Sequence, residues 1–224
     1  MKDLDWGSLT FGYVPTNYNV RCYYHNGKWG EIEVSSDEYV HIHMASTCLH
    51  YGQEAFEGLK AYRCPDGKVR VFRPEENAAR LQSTCRGIVM PELPTDLFVE
   101  MVEKVVRLNQ DFIPPYEGQD YLFLIFATPV GPYFKGGFST NAYAITREFD
   151  RAAPFGTGKY KVGGNYAASL RAHKIAKEKG YASEFYLDAK EKKYVDECGA
   201  ANFFGIKENT YITPKSSSIL PSIT

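Results

Sequence analysis

The stretch Gly156-Thr157-Gly158-Lys159-Tyr160-Lys161-Val162-Gly163-Gly164-Asn165-Tyr166 sets two lysines among four glycines and runs straight into a helical pattern. Glycine lets a backbone come close to a ligand, and a loop that ends at a helix start presents N–H groups to anions. In such surroundings Lys161 reads as a reactive amine, able to condense with a carbonyl compound as a Schiff base. A Gly-rich surface turn carrying solvated lysines fits the same residues, and Lys159 competes for the role. A nucleotide-binding loop does not fit. G-x-x-x-x-G-K-[ST] would need Gly at 153 and Ser or Thr at 160, where the chain has Ala153 and Tyr160.

Other residues with chemical reach lie far from this loop. Arg80 sits about two turns into a helical pattern and reads either as a phosphate fork or as a surface arginine. Glu197 ends a strand, where a solvated carboxylate is the plain alternative. His41 and His43 would share a strand face, but with no third ligand near them they read as solvated side chains, so no metal is expected.

The composition narrows the classes. The 224 residues are 44% hydrophobic and 24% charged, with a formal net charge of −1. That balance is ordinary for a globular protein and carries no nucleic-acid footprint. Five cysteines, with no C-x-x-C among them, suggest reduced thiols and a cytoplasmic setting. No signal peptide is read at the N-terminus, and the Tyr121–Ala127 apolar run is too short to span a bilayer, so no membrane association is expected.

The elements that must position these residues follow in order. Arg21 to Trp29 reads as two strands about an Asn26-Gly27 turn, and Glu38 to Met44 as a further strand. Pro65-Asp66-Gly67 turns the chain into a strand at Val69–Phe72. Pro74 opens a helix with Glu75 and Glu76 in its first turn. Thr95 is placed as the cap of the next helix, whose Phe98, Met101, Val102 and Val105 form a core stripe. Tyr121 to Phe126 reads as a buried strand, and Thr128 to Gly137, rich in Gly and Pro, as a boundary. Beyond it come a short strand at Asn141–Ile145, the lysine loop, and a helix from about Asn165 to Lys179 with Gly180 as its stop. A hairpin pairs Glu184–Asp188 with Lys193–Glu197, and the end of the chain reads as the entry to a further helix. The domain expectation is 1–128 for a small N-terminal domain, 129–137 for an interdomain loop, and 138–224 for the first part of a larger domain.

Several stretches, in this order, make the chain resemble the branched-chain amino acid aminotransferases of fold type IV. They are His50-Tyr51-Gly52-Gln53-Glu54-Ala55-Phe56-Glu57-Gly58-Leu59-Lys60-Ala61-Tyr62, Phe72-Arg73-Pro74 with Asn77 and Arg80, and Pro129-Val130-Gly131-Pro132-Tyr133-Phe134. The series continues through Arg151-Ala152-Ala153-Pro154, Lys161-Val162-Gly163-Gly164-Asn165-Tyr166, Glu197-Cys198-Gly199-Ala200-Ala201-Asn202 and Ser218 to Thr224. The resemblance implies an α+β, two-domain fold: a small α/β N-terminal domain and an incomplete pseudobarrel C-terminal domain. It implies pyridoxal 5′-phosphate as cofactor and transfer of the amino group of Leu, Ile or Val to 2-oxoglutarate. It also implies a homodimer.

The resemblance carries roles onto particular residues. Lys161, chosen over Lys159 by its spacing to Gly163-Gly164-Asn165-Tyr166, would hold the cofactor as an internal aldimine and carry the proton. Glu197 would pair with the ring nitrogen and Tyr166 with the phenolic oxygen. Arg80, Ile223 and Thr224 would hold the phosphate. Phe11, Tyr51, Phe56 and Tyr133 would wall the apolar pocket. Two departures stand out: the family pattern has a further segment between Gln119 and Asp120, with a Tyr-x-Arg-Pro run, and it continues past Thr224. The chain as given is therefore expected to hold a truncated second domain and to be a poor enzyme alone. The alternatives are a related fold type IV enzyme, a D-amino acid aminotransferase or aminodeoxychorismate lyase, or an inactive binding fragment.

Overall fold

The computed structural model describes residues 9, 12–113, 122–123, 127–128 and 140–223. Its contacts divide the chain into two compact units, Met1–Ser46 with Phe56–Phe138, and Thr47–Ala55 with Ser139–Thr224.

In the first unit β1 (Asn19–Arg21), β2 (Tyr24–His25), β3 (Lys28–Trp29) and β4 (Glu33–Ser35) form two short antiparallel pairs, β1 with β4 and β2 with β3. The β2–β3 hairpin turns at Asn26 and Gly27, with φ of 51° and 82°. Two successive positive φ values are what a type I′ turn demands, and Asn-Gly supplies them at least cost. The strand expected over Glu38–Met44 is not formed. That segment is exposed throughout and pairs with no strand among the described residues, its link to β1 being the Arg21 side chain on Tyr39 O, so its weak alternation has nothing to pair with.

The second unit contributes α1 (Thr47–Tyr51), and the chain then returns to the first with β5 (Ala61–Arg63) and β6 (Val69–Val71). Helices α2 (Pro74–Gly87) and α3 (Thr95–Leu108) follow, with Glu75 and Glu76 in the first turn of α2. Thr95 is the first helical residue of α3, not its cap, and its hydroxyl accepts a hydrogen bond from Gln82 Nε2 at 3.2 Å. Phe98, Met101 and Val105 of α3 lie in a core shared with Val20, Leu59, Ala61, Ala78, Leu93 and Ile113. Asn109, 1% exposed, pins the strand end to this core. Its Nδ2 donates to Tyr18 O and Val105 O while its Oδ1 accepts from Tyr18 N. Of the strand expected over 121–126, β7 (Leu122–Phe123) pairs with β8 (Ala127–Thr128), and the other residues of that run lie outside the described ones.

The second unit is built on β9 (Tyr143–Thr146), α4 (Gly163–Glu178), β10 (Ser183–Leu187) and β11 (Val195–Cys198). β9 and β10 run parallel, as a strand–helix–strand crossover requires, and β11 pairs with β10 antiparallel. α4 ends at Gly180 with φ +82°, a C-terminal stop only glycine adopts freely. Asp188 ties the β10–β11 connection by accepting from the backbone N–H groups of Glu191, Lys193 and Tyr194, which hold its carboxyl at about 2. A last hairpin, β12 (Gly205–Lys207) and β13 (Thr210–Ile212), turns through Glu208 and Asn209, both at positive φ.

Candidate active site

The register of β10 against β11 contains the first clue. Phe185 faces Cys198 and Leu187 faces Val195, so two residues of β11, Asp196 and Glu197, oppose the single Tyr186. That extra residue is a bulge, which breaks strict alternation. Two consecutive acids are both turned inward by it, Asp196 and Glu197 each 4% exposed.

Each acid finds different partners. Asp196 Oδ2 accepts from Ser218 Oγ at 2.6 Å. Glu197 Oε1 accepts from Asn202 Nδ2 at 3.2 Å. Its Oε2 lies 2.5 Å from Arg151 Nε, yet the approach is outside hydrogen-bond geometry, and both buried atoms lack a hydrogen-bond partner among the described residues. Burial pushes the Glu197 carboxyl up to about 7; the Arg151 charge opposes that rise, Asp196 adds to it and Lys161 pulls it down. The lysine and the carboxylate therefore act on each other across one site.

Lys161 stands at the end of a loop that is stapled to α4. Asn165, 8% exposed, donates from Nδ2 to Thr157 O at 2.8 Å and Tyr160 O at 2.9 Å, and its Oδ1 accepts from Thr157 Oγ1 at 2.8 Å. Lys161 Nζ donates to Tyr166 OH at 2.8 Å and lies 5.1 Å from the Tyr166 ring centre. Lys161 precedes the extended cap residue Val162 and Tyr166 lies in the first turn of α4, so the two side chains meet at the helix start. The start of α4 faces Glu54, for a Cβ at Gly163 would fall 1.6 Å from Glu54 Oε1. A carboxylate there complements the positive end of the helix dipole.

Gly158 lets the loop touch the 216–220 segment. A Cβ at that position would meet Ser218 O at 2.4 Å and Ser218 Cα at 2.6 Å. Arg151 closes the same contact, with NH2 donating to Gly158 O at 2.6 Å and to Ser218 O.

Of the residues singled out from the sequence, Lys161, Tyr166 and Glu197 come together here. Ile223 is half-buried and Tyr51, at the end of α1, is 85% exposed; both belong to this unit. Arg80 and Phe56 belong to the first unit. There the Nε–NH2 fork of Arg80 is taken by Glu57, with Nε donating to Oε1 and NH2 to Oε2, each at 2.7 Å. Glu57 also accepts from Asn77 Nδ2 at 2.9 Å. Phe11, Tyr133 and Thr224 lie outside the described residues, as does the Pro129–Phe134 stretch. His41 and His43 are exposed, and no cluster of metal-ligating side chains exists among the described residues.

The sequence reading missed Arg151, Asn165 and Glu57 as individuals, although each sits inside a motif it quoted. Arg151 had one usable signal: a charged residue in Arg-Ala-Ala-Pro, a stretch with no other polar group to keep it at the surface.

A lysine at a glycine loop, a tyrosine on its amine and a buried carboxylate on a bulged strand are groups that amino-group transfer would call for. The pattern of the class IV aminotransferase family matches residues 54–224. A branched-chain-amino-acid aminotransferase of Haemophilus influenzae is 48% identical over 252 aligned positions, covering all of this chain and 73% of that protein. The alignment is longer than the 224-residue chain, so that relative carries residues with no counterpart here. The Escherichia coli branched-chain amino acid aminotransferase structure superposes with a TM-score of 0.72 at 28% identity, over 93% of this chain and 71% of that one. The Thermobaculum terrenum branched-chain amino acid aminotransferase, solved in its PLP form, shares the fold with a TM-score of 0.67 at 22% identity, over 85% and 67%. The chain belongs to the class IV aminotransferases, enzymes that depend on pyridoxal 5′-phosphate, and has the α+β architecture of fold type IV.

The residues present fit that cofactor. A buried carboxylate oxygen with no hydrogen-bond partner is costly unless something meets it, and a protonated ring nitrogen is the donor such an oxygen accepts best.

Proposed function

We propose that this aminotransferase moves the amino group of leucine, isoleucine or valine to 2-oxoglutarate, with pyridoxal 5′-phosphate held at Lys161. The observation that carries the reading is the meeting of Lys161, Tyr166 and Glu197 in one site, with Glu197 Oε2 buried and lacking a hydrogen-bond donor. The 48% identity to a branched-chain enzyme supports the substrate class.

When bound, the cofactor supplies an electron sink for the pair left at the substrate Cα. The chain's own groups do the rest. The Lys161 amine would take the proton from the substrate Cα and return it to the cofactor-side carbon two atoms away, as a general base and then a general acid. Tyr166, already 2.8 Å from that amine, fixes where it points. Glu197 holds the ring-nitrogen proton. In this reading Arg80, presented by α2 and steadied by Glu57, would contribute positive charge for the phosphate, and Ile223 and Thr224 would be further phosphate contacts. Phe11, Tyr51, Phe56 and Tyr133 are the apolar walls of this reading. A homodimer and a cytoplasmic setting belong to it as well; all five cysteines are free thiols, which suits a reducing compartment.

The test is chemical. Borohydride reduction of the protein loaded with pyridoxal 5′-phosphate should leave a phosphopyridoxyl mass on the peptide bearing Lys161, and none in Lys161→Ala. Addition of leucine should change the absorbance of the unreduced protein. A mass on Lys159 instead, or no response to any branched-chain amino acid, would sink the proposal.

A further inference from the structure

Arg151 is 8% exposed and takes no part in the chemistry above. Its guanidinium is fixed by two backbone carbonyls, Gly158 O on the lysine loop and Ser218 O on the segment packed against it, both bonded to NH2. That leaves Nε turned to Glu197 Oε2 at 2.5 Å, close enough for the charges to act but not aligned for a hydrogen bond.

Two buried acids, Asp196 and Glu197, stand side by side, and Ser218 satisfies only the first. A carboxylate removed from water with no cation beside it takes up a proton, and a protonated Glu197 could no longer attract a pyridinium N–H. Arg151 opposes that without consuming the acceptor, since Asn202 anchors the carboxylate while Oε2 keeps its accepting capacity. Arginine suits the place better than lysine. Its planar head serves two carbonyls and a carboxylate at once, and it does not lose its charge on burial.

We propose that Arg151 is a positioning residue for the cofactor ring nitrogen: held by Gly158 and Ser218, it favours the charged form of Glu197 and leaves Oε2 open to the N–H. This rests on the cofactor assignment above. Arg151 touches neither substrate nor cofactor; it works through Glu197.

The test compares two cofactors, pyridoxal 5′-phosphate and its 1-deaza analogue, in which CH replaces the ring nitrogen. Dissociation constants are measured by absorbance titration for the wild type, R151Q, E197Q and the double variant. R151Q should lower the preference for the natural cofactor about tenfold, the size of one charge-assisted hydrogen bond. In the E197Q background, R151Q should change that preference by less than about twofold, because the two act as a unit. Equal weakening of both cofactors by R151Q would show a purely structural arginine and overturn the proposal. If R151Q does not fold, R151K bears the same comparison. It keeps a cation but loses the fork, and should lower the preference about threefold; an unchanged preference refutes the assignment. A wild-type protein that leaves no borohydride-trapped adduct on Lys161 defeats the function itself, a result distinct from these.

Discussion

Replacing Gly158 with alanine puts a methyl group into the seam between the lysine loop and Ser218. The new Cβ would lie 2.4, 2.6 and 2.8 Å from Ser218 O, Cα and C, all of them backbone atoms that cannot swing aside. Ordinary contact needs 3.4 Å or more, so the two segments must part by about an ångström. Overpacking of that kind costs about 1–3 kcal/mol. The movement also loosens the Arg151 bond to Ser218 O and the 2.6 Å Ser218–Asp196 bond, and a hydrogen bond to a charged group adds about 1.5–3 kcal/mol. With partial relaxation the loss should be about 2–4 kcal/mol, which lowers Tm by roughly 5–15 °C for a chain of this size. Gly164, one helical position past the start of α4, is the control: a Cβ there meets nothing within 4 Å. Gly164→Ala should stabilise by up to about 1 kcal/mol through helix propensity. Thermal and urea unfolding of cofactor-free protein reads both variants. If Gly158→Ala melts with the wild type, or the two substitutions shift Tm in the same direction, the packing argument is wrong.

Three other substitutions test buried polar groups, two in the second unit and one in the first. Glu197, pushed to about 7 from 4.5, binds a proton more readily folded than unfolded, so it contributes stability below about pH 4.5 that is lost as pH rises through 7. At 1.36 kcal/mol per unit that is about 3 kcal/mol, and Glu197→Gln should flatten this part of the pH–stability curve of the cofactor-free protein. Asn165→Ala removes three side-chain hydrogen bonds and leaves two carbonyls to find other donors; a loss of about 2–3 kcal/mol and faster amide exchange over residues 157–161 are expected. Glu57→Ala leaves Arg80, with a side chain 16% exposed, without its carboxylate, and should cost about 3 kcal/mol by urea unfolding.

What the sequence made legible was local. Asn26-Gly27 specifies its turn within two residues, Pro74 and Gly180 mark helix ends by their own backbone preferences, and the α3 stripe is a matter of spacing. The loop glycines announced a close approach, though not what approaches. The failures share a cause. Glu38–Met44 has alternation without a partner strand, and Thr95 has a capping side chain one position too late. The parallel β9–β10 pairing joins residues some forty positions apart, beyond any local pattern. Arg151 is the clearest case. Its role exists only because residues 158, 197 and 218 converge on it.

The β11 bulge shows how one extra residue shapes the chemistry. In a regular strand Asp196 and Glu197 would point to opposite faces, one of them away from the site. Both are turned inward opposite Tyr186, and Asp196 adds to the upward push on Glu197. Asp196→Asn isolates that effect. The amide oxygen can still accept the Ser218 hydroxyl, so the 216–220 segment keeps its anchor while one negative charge disappears. Glu197 should then ionise more easily, and its folded value should fall below about 7. With the unfolded value fixed, the window in which stability is lost on raising pH narrows from its upper end, and the loss is smaller than in the wild type. Unfolding free energies of cofactor-free wild type and Asp196→Asn, measured from below about pH 4 to about pH 8 so that both ends of the window are covered, give the comparison. A window that stays put or widens would mean that the two carboxylates do not feel each other, and that the bulge places them for packing alone.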